Sequence, residues 1–214
     1  MFEIFYKHSI SFSTFPLNKN IDSFDFKANM FSYEDRKYFI NEPEKIIISK
    51  ENILEISKKN NKKMDEMKFT ILFMDYINVE KKKQRYFLHW LISDIGLLEK
   101  DNIYELNYFE NCKTHVNYYP PTPPINTGRH RYIYFILLQK NDLGFNKIQN
   151  IFNYEMKEQQ SNFQPYIFFR NYGNYFYKPF QTSYFLLEEN LPSEKNNGKN
   201  TNKNTEIFYK MIQN

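Results

Sequence analysis

The 214-residue chain has a single cysteine, Cys112, only five glycines, and no apolar run approaching the ~20 residues that a membrane-spanning helix requires. One thiol excludes an intramolecular disulfide and a cysteine-based zinc cluster, and points to a reducing compartment such as the cytosol, nucleus or mitochondrial matrix. There is no phosphate-binding Gly-rich loop, no Gly-x-Gly-x-x-Gly turn and no Gly-x-Ser-x-Gly nucleophile elbow. Cys112 and His115, three residues apart, would splay to opposite faces of a strand. The four histidines are scattered without metal-ligand spacing, so neither a metal nor a cofactor is expected. The N-terminus lacks the apolar core of a signal peptide, which predicts a soluble protein. From Ile4 to Asn20 the chain carries no acid and is rich in Ser and aromatics, like a transit peptide, although Glu3 and the absence of arginine there count against one. Mitochondrial import stays open on this reading. No strong charge of either sign is present: 29 Lys+Arg against 25 Asp+Glu leave a net charge of +4, ordinary for a soluble domain and compatible with RNA contact.

Aromatic side chains are abundant. With 22 Phe and 18 Tyr in a chain that is 41% hydrophobic, the composition supplies one well-filled core and favours strands over helices. Short β-type runs stand at Met30–Tyr33, Ile46–Ser49 and Ile53–Ile56, and the Lys58–Lys63 run reads as a solvated loop rather than a phosphate-contacting patch. Phe69–Met74 is nearly all apolar and reads as a buried central strand, with Phe87–Ile92 and Tyr132–Leu138 of the same character and Ile167–Phe169 and Tyr184–Leu187 following. Helix is expected at Phe145–Met156 and Thr205–Gln213. Residues 1–30 read as an N-terminal extension with Phe anchors, 31–192 as the domain, and 193–214 as a flexible polar linker with a C-terminal docking segment.

The least probable stretch is Tyr118–Tyr132. Four prolines within Pro120–Pro124 fix φ and remove four backbone donors, so this loop crosses the surface extended, and Thr127–Gly128 then supplies a turn into the next strand. A loop so stiff presents groups rather than merely joining strands. Asp75 closes one apolar run, His89 lies within a second and His130 precedes a third, so a sandwich could gather the three at one rim.

In order and spacing these residues resemble the phosphatidylethanolamine-binding protein family. His89-Trp90-Leu91, then Pro123-Pro124 followed by Thr127-Gly128-Arg129-His130-Arg131-Tyr132, and Phe169-Arg170 match its motifs over roughly Phe69–Glu188. The resemblance implies a mainly β fold, a Greek-key type sandwich with a few peripheral helices. It also implies an anion pocket framed by Asp75, His89, Pro123, Pro124, His130 and Tyr132, with no catalysis. Two positions depart from the family pattern: Ile77 stands where a second aspartate is usual, and Thr122 replaces a glycine of the phosphate-side loop. Tyr119–Pro124 and Tyr86–Leu91 look more like the branch of the family found in the mitochondrial large ribosomal subunit. That branch implies a structural, non-enzymatic protein in the mitochondrial matrix, contacting ribosomal RNA and neighbouring mitoribosomal proteins. The alternative is a soluble, cytoplasmic binder of a phospholipid headgroup or other small anion, with a role in regulating kinase signalling.

Overall fold

Two apolar strands form the middle of the molecule. In the computed structural model, which describes residues 1–6, 10–16, 29–79, 83–124, 129–140, 160–178 and 181–188, strand β6 (Phe69–Val79) pairs antiparallel with β10 (Arg129–Leu138) along nearly its whole length, from Leu138 opposite Phe69 to His130 opposite Ile77. Each strand is apolar on both faces because both faces are covered. Phe69, Ile71 and Phe73 of β6, with Tyr132, Tyr134 and Ile136 of β10, point into one core, whereas Leu72, Met74, Ile133, Phe135 and Leu137 belong to another.

The first core lies between two layers. One layer contains β2 (Ser11–Ser13), β1 (Phe2–Phe5), β5 (Lys45–Ser49) and β8 (Ile103–Asn107); the other contains β6, β10, β11 (Gln181–Glu188) and β3 (Phe15–Pro16), with β4 (Asn29–Ser32) parallel to β11. The 18-residue strand β7 (Lys83–Lys100) joins them, pairing with β6 along its first part and with β8 from Gly96 onward, while β9 (Lys113–Val116) adds to its edge. Asp94, at φ 60, marks the place where β7 changes layers. The buried amide of Gln139 holds this bend, accepting from the Asp94 N–H and donating to its carboxylate, both at 3.1 Å. The fold is therefore mainly β, as the composition predicts.

The second core is closed by helix α2 (Pro165–Tyr172), which buries Phe168, Phe169 and Tyr172 against the outer face of the β6/β10 sheet, with Phe169 edge-on to Phe135 at 5.3 Å. This corrects the strand expected at Ile167–Phe169. Pro165 occupies the first turn, where its missing donor costs nothing, and positions 165, 168, 169 and 172 make a helical stripe that a short apolar run does not reveal. Ile53–Ile56 is corrected likewise: it lies in helix α1 (Lys50–Asn60). Ser49 caps that helix by accepting from the Asn52 N–H, and Ile53, fully buried, has Ile56 one turn on packed against the same core. The lysine run is accordingly the end of α1 and its cap, with Asn61 left-handed at φ 49. Residues 1–30, read as an extension, contribute β1 and β2 to the first layer, and Phe2, Ile4, Tyr6 and Phe12 are core residues. The Thr127–Gly128 turn, the helices expected at 145–156 and 205–213 and the linker at 193–205 lie outside the described residues. Among the described residues no helix is long and apolar enough to cross a membrane.

Candidate functional site

Asp75 and Tyr132 face each other across the β6/β10 ladder, and His130 precedes Tyr132 by two residues, so strand alternation sets all three on the inner face. His89 arrives differently. On β7, Trp90 pairs with Phe73 and Leu88 with Met74, which leaves His89 as the extra residue of a β-bulge. The bulge turns His89 to the same face as its neighbour Trp90: its ring lies 5.2 Å from Phe73 and 5.3 Å edge-on to Tyr132. Asp75, His89, His130 and Tyr132 are each no more than 3% exposed.

Nδ1 of His130 lies 2.7 Å from Oδ2 of Asp75, an N–H donated to a carboxylate. Burial pushes the Asp75 carboxyl above its usual range, with the His130 contact opposing. His89 is tied at both ends of one residue. The Tyr119 N–H donates to the His89 carbonyl at 2.8 Å, and His89 Nδ1 lies 2.7 Å from the Tyr119 carbonyl. A carbonyl only accepts, so Nδ1 carries the proton, and the Nε2 of the neutral ring is an acceptor. Burial lowers the His89 pKa to about 3, with the Tyr119 carbonyl pulling the other way and His130 nearby reinforcing the fall. Burial, with Asp75 nearby, lifts the Tyr132 phenol far above its ordinary value, so it stays protonated.

Three buried atoms here have no protein partner among the described residues: Oδ1 of Asp75, Nε2 of His89 and the Tyr132 hydroxyl. Each costs ~1–3 kcal/mol if left dry, so such groups ordinarily hold water or a ligand. Two acceptors beside a hydroxyl suit a small group that brings its own hydrogens, such as an oxyanion that carries two protons. Among the described residues no cluster of three or more His, Cys, Asp or Glu could hold a metal.

The proline-rich loop reaches this cluster through Tyr119, a residue outside the pocket set read from the sequence. Its ring packs 5.4 Å from Phe87 and 5.9 Å from His89, and it remains 47% exposed, at the mouth. Tyr118 anchors the loop inward, donating to the Phe39 carbonyl at 2.9 Å and stacking on Phe73. Beyond it Pro121 and Pro123 are buried and Thr122 and Pro124 exposed, an alternation that fastens the loop along one edge. The only sequence signal for Tyr119 is its place at the head of the proline run, and nothing in the sequence marks the bulge at His89. A second buried pair also escaped notice: Ser93 Oγ lies 2.8 Å from Nε2 of His115. Cys112 is occupied elsewhere, its thiol donating to the Tyr108 carbonyl at 3.1 Å.

The family model described as phosphatidylethanolamine-binding protein matches residues 48–168, more than half of the chain. No curated protein matches the sequence. Among solved structures, a carboxypeptidase Y inhibitor in complex with its cognate proteinase is similar at 17% identity and a TM-score of 0.52, over 76% of each chain. A phosphatidylethanolamine-binding protein from Plasmodium vivax aligns at 10% identity and a TM-score of 0.45, over 88% of this chain and 85% of that one. One from Plasmodium falciparum aligns at 15% identity and a TM-score of 0.41, over 83% of each.

Proposed function

The chain belongs to the phosphatidylethanolamine-binding protein family, and on that premise we propose that it is a non-enzymatic interaction domain, a structural component of the mitochondrial large ribosomal subunit in the matrix. The observation that carries this reading is the loop laid over the family pocket. Two hydrogen bonds fasten Tyr119 to His89, Pro121 and Pro123 are buried behind it, and the pocket side chains are at most 3% exposed. A rim pinned to the pocket's own histidine is stiff, and its exposed groups, Tyr119, Thr122 and Pro124, are placed for contact. The likeness of Tyr119–Pro124 and Tyr86–Leu91 to the mitoribosomal branch supports this choice of assembly. A protein of the same fold described in complex with a proteinase is a precedent for its use as a protein-binding platform. The expected partners are ribosomal RNA and neighbouring ribosomal proteins. In a sucrose gradient of mitochondrial extract, the tagged protein is expected to sediment with the large subunit and to leave it only at high salt. Migration as a free monomer, or recovery in the cytosolic fraction, would overturn the assignment.

One observation favours a second reading, a cytoplasmic binder of a small anion or phospholipid headgroup: the three unpartnered atoms on Asp75, His89 and Tyr132. The hydrogens that Asp75 Oδ1 and His89 Nε2 require would come from a doubly protonated phosphate, the form that dominates at pH 6. Titration with inorganic phosphate, followed by the His89 and His130 ring resonances, tests it. Saturable shifts that are stronger at pH 6 than at pH 8 support the reading, and unchanged rings at both pH values sink it.

A further inference from the structure

The geometry points to a second ligand site at the opposite end of β10, one that receives an acyl chain ending in a single anionic group. Eight residues of β10 separate His130 from Leu138, about 26 Å of strand, so this site shares no residue with the family pocket. A cavity of about 400 Å³, within the usual range for small-molecule sites, opens there between α1 and the end of the central sheet. Its floor is hydrocarbon and ring: Phe2, Phe69, Ile136 and Leu138, all core residues, with Tyr177 at the side.

Lysines line this cavity and flank the ring at its side. Lys59 and Lys178 line the cavity, and Lys62 and Lys140 each stand 5.9 Å from the centre of the Tyr177 ring. Glu55 is the one acid lining the cavity. Neither Lys62 nor Lys140 makes an ion pair among the described residues. Lys59 offsets the dipole at the end of α1, but that explanation does not extend to Lys140, which comes from another part of the chain.

The positions are fixed by backbone rather than by chance side-chain reach. The Tyr177 N–H donates to the Leu138 carbonyl at 2.9 Å, the Lys140 N–H to the Tyr175 carbonyl at 2.8 Å, and the Lys62 N–H to the Ser57 carbonyl at 3.1 Å. Ser57 Oγ donates back to the Lys62 carbonyl at 2.6 Å. Cations at the wall and beside a ring that lines the cavity favour an anionic group there. Lysine ammoniums act as point charges without the planar fork of arginine, so they suit a compact head group. An apolar floor beneath such a rim rejects a purely polar anion and takes a hydrocarbon tail.

Carboxylate and phosphate head groups share this chemistry, and a titration separates them. Decanoate and decyl phosphate, both below their micellar concentrations, are titrated calorimetrically into the full chain, with acetate and decanol as head-only and tail-only controls. At least one of the two amphiphiles is expected to bind saturably at 1:1, and the tighter identifies the head group. Acetate and decanol should each bind at least tenfold more weakly. The double variant K62E/K140E, whose fold is checked by circular dichroism, should weaken amphiphile binding at least tenfold. Resonance shifts should appear at Tyr177 and the last turn of α1, leaving His89 and His130 unmoved. No saturable binding, equal binding of decanol, an unaffected double variant, or shifts centred on His89 and His130 would each overturn the proposal. None of these results bears on sedimentation with ribosomes, so this site and the proposed function fail separately.

Discussion

Truncation of Phe73 to alanine is expected to lower the unfolding free energy by about 3–5 kcal/mol, a large share of the stability of a domain of this size. Phe73 is fully buried at the centre of the first core. Its ring stacks on Tyr134 at 4.1 Å and 8° and on Tyr118 at 5.9 Å and 7°, and lies 5.2 Å from His89, 6.0 Å from Tyr132 and 6.2 Å from Phe185. Rings from three strands and the proline-rich loop thus share one neighbour. Stiff aromatic side chains seated in rotamer wells cannot collapse to fill the void, which places the loss in the upper part of the range for core truncations. Urea unfolding should show a lower midpoint at an unchanged slope. Phe109→Ala, at a residue 63% exposed, should shift stability by less than about 0.5 kcal/mol. A loss below about 1 kcal/mol for Phe73→Ala would show that the core is not organised around this ring.

Acid should destabilise the protein through His89, with the second-largest effect. The ring is held neutral in the fold, its pKa lowered by burial from the ordinary 6.5 to about 3. Below pH 6.5 the unfolded chain binds a proton that the folded chain refuses, so stability falls as pH falls. The slope is about 1 kcal/mol per pH unit, and the loss levels off near pH 3. Asp75 acts in the opposite sense. Its carboxyl is raised above the ordinary 3.8, so between that value and its folded pKa the fold holds the extra proton and acid favours it. Total stability therefore mixes two terms of opposite sign, and His89→Gln isolates one of them because glutamine does not titrate. The stability difference between the wild type and this variant should shrink by about 1 kcal/mol for each pH unit below 6.5, read from denaturant unfolding at pH 7, 5.5 and 4.5. A difference independent of pH would mean that His89 protonates in the folded state, through water reaching Nε2. Tyr119, Tyr132 and His130 are the groups facing the ring. Tyr132 stays protonated across this range, and the carbonyl of Tyr119 opposes the shift.

Much of the sheet was legible because burial on both faces writes an unbroken apolar run. Phe69–Met74 and Tyr132–Leu138 read as central strands and are β6 and β10. Runs of three or four apolar residues carried no such information. Ile53–Ile56 and Ile167–Phe169 fit strand and helix equally, and they became helices because a Ser49 cap and Pro165 in the first turn favour helix starts. For the site, Asp75, His130 and Tyr132 were traceable from the motif, and strand alternation accounts for their common face. His89 was traceable as a residue type at the right spacing, but its direction was not. Simple alternation from Trp90 would point it away from the core, and only the bulge points it inward.

By itself, then, the sequence determined composition-level and pattern-level properties: a mainly β chain with an aromatic core, a rigid loop from Tyr119 to Pro124, and the residues that carry the family resemblance. These follow from local chemistry, from proline's fixed φ and from the alternation of side chains on a strand. The tertiary structure decided which groups meet. Register set Tyr132 opposite Asp75, and a bulge aimed His89 at Tyr132. Two backbone hydrogen bonds brought Tyr119 onto that histidine. Lys62 and Lys140 converged on a single tyrosine at the far end of the sheet. Such meetings depend on strand pairing between residues far apart in the chain, an energy that no local window contains.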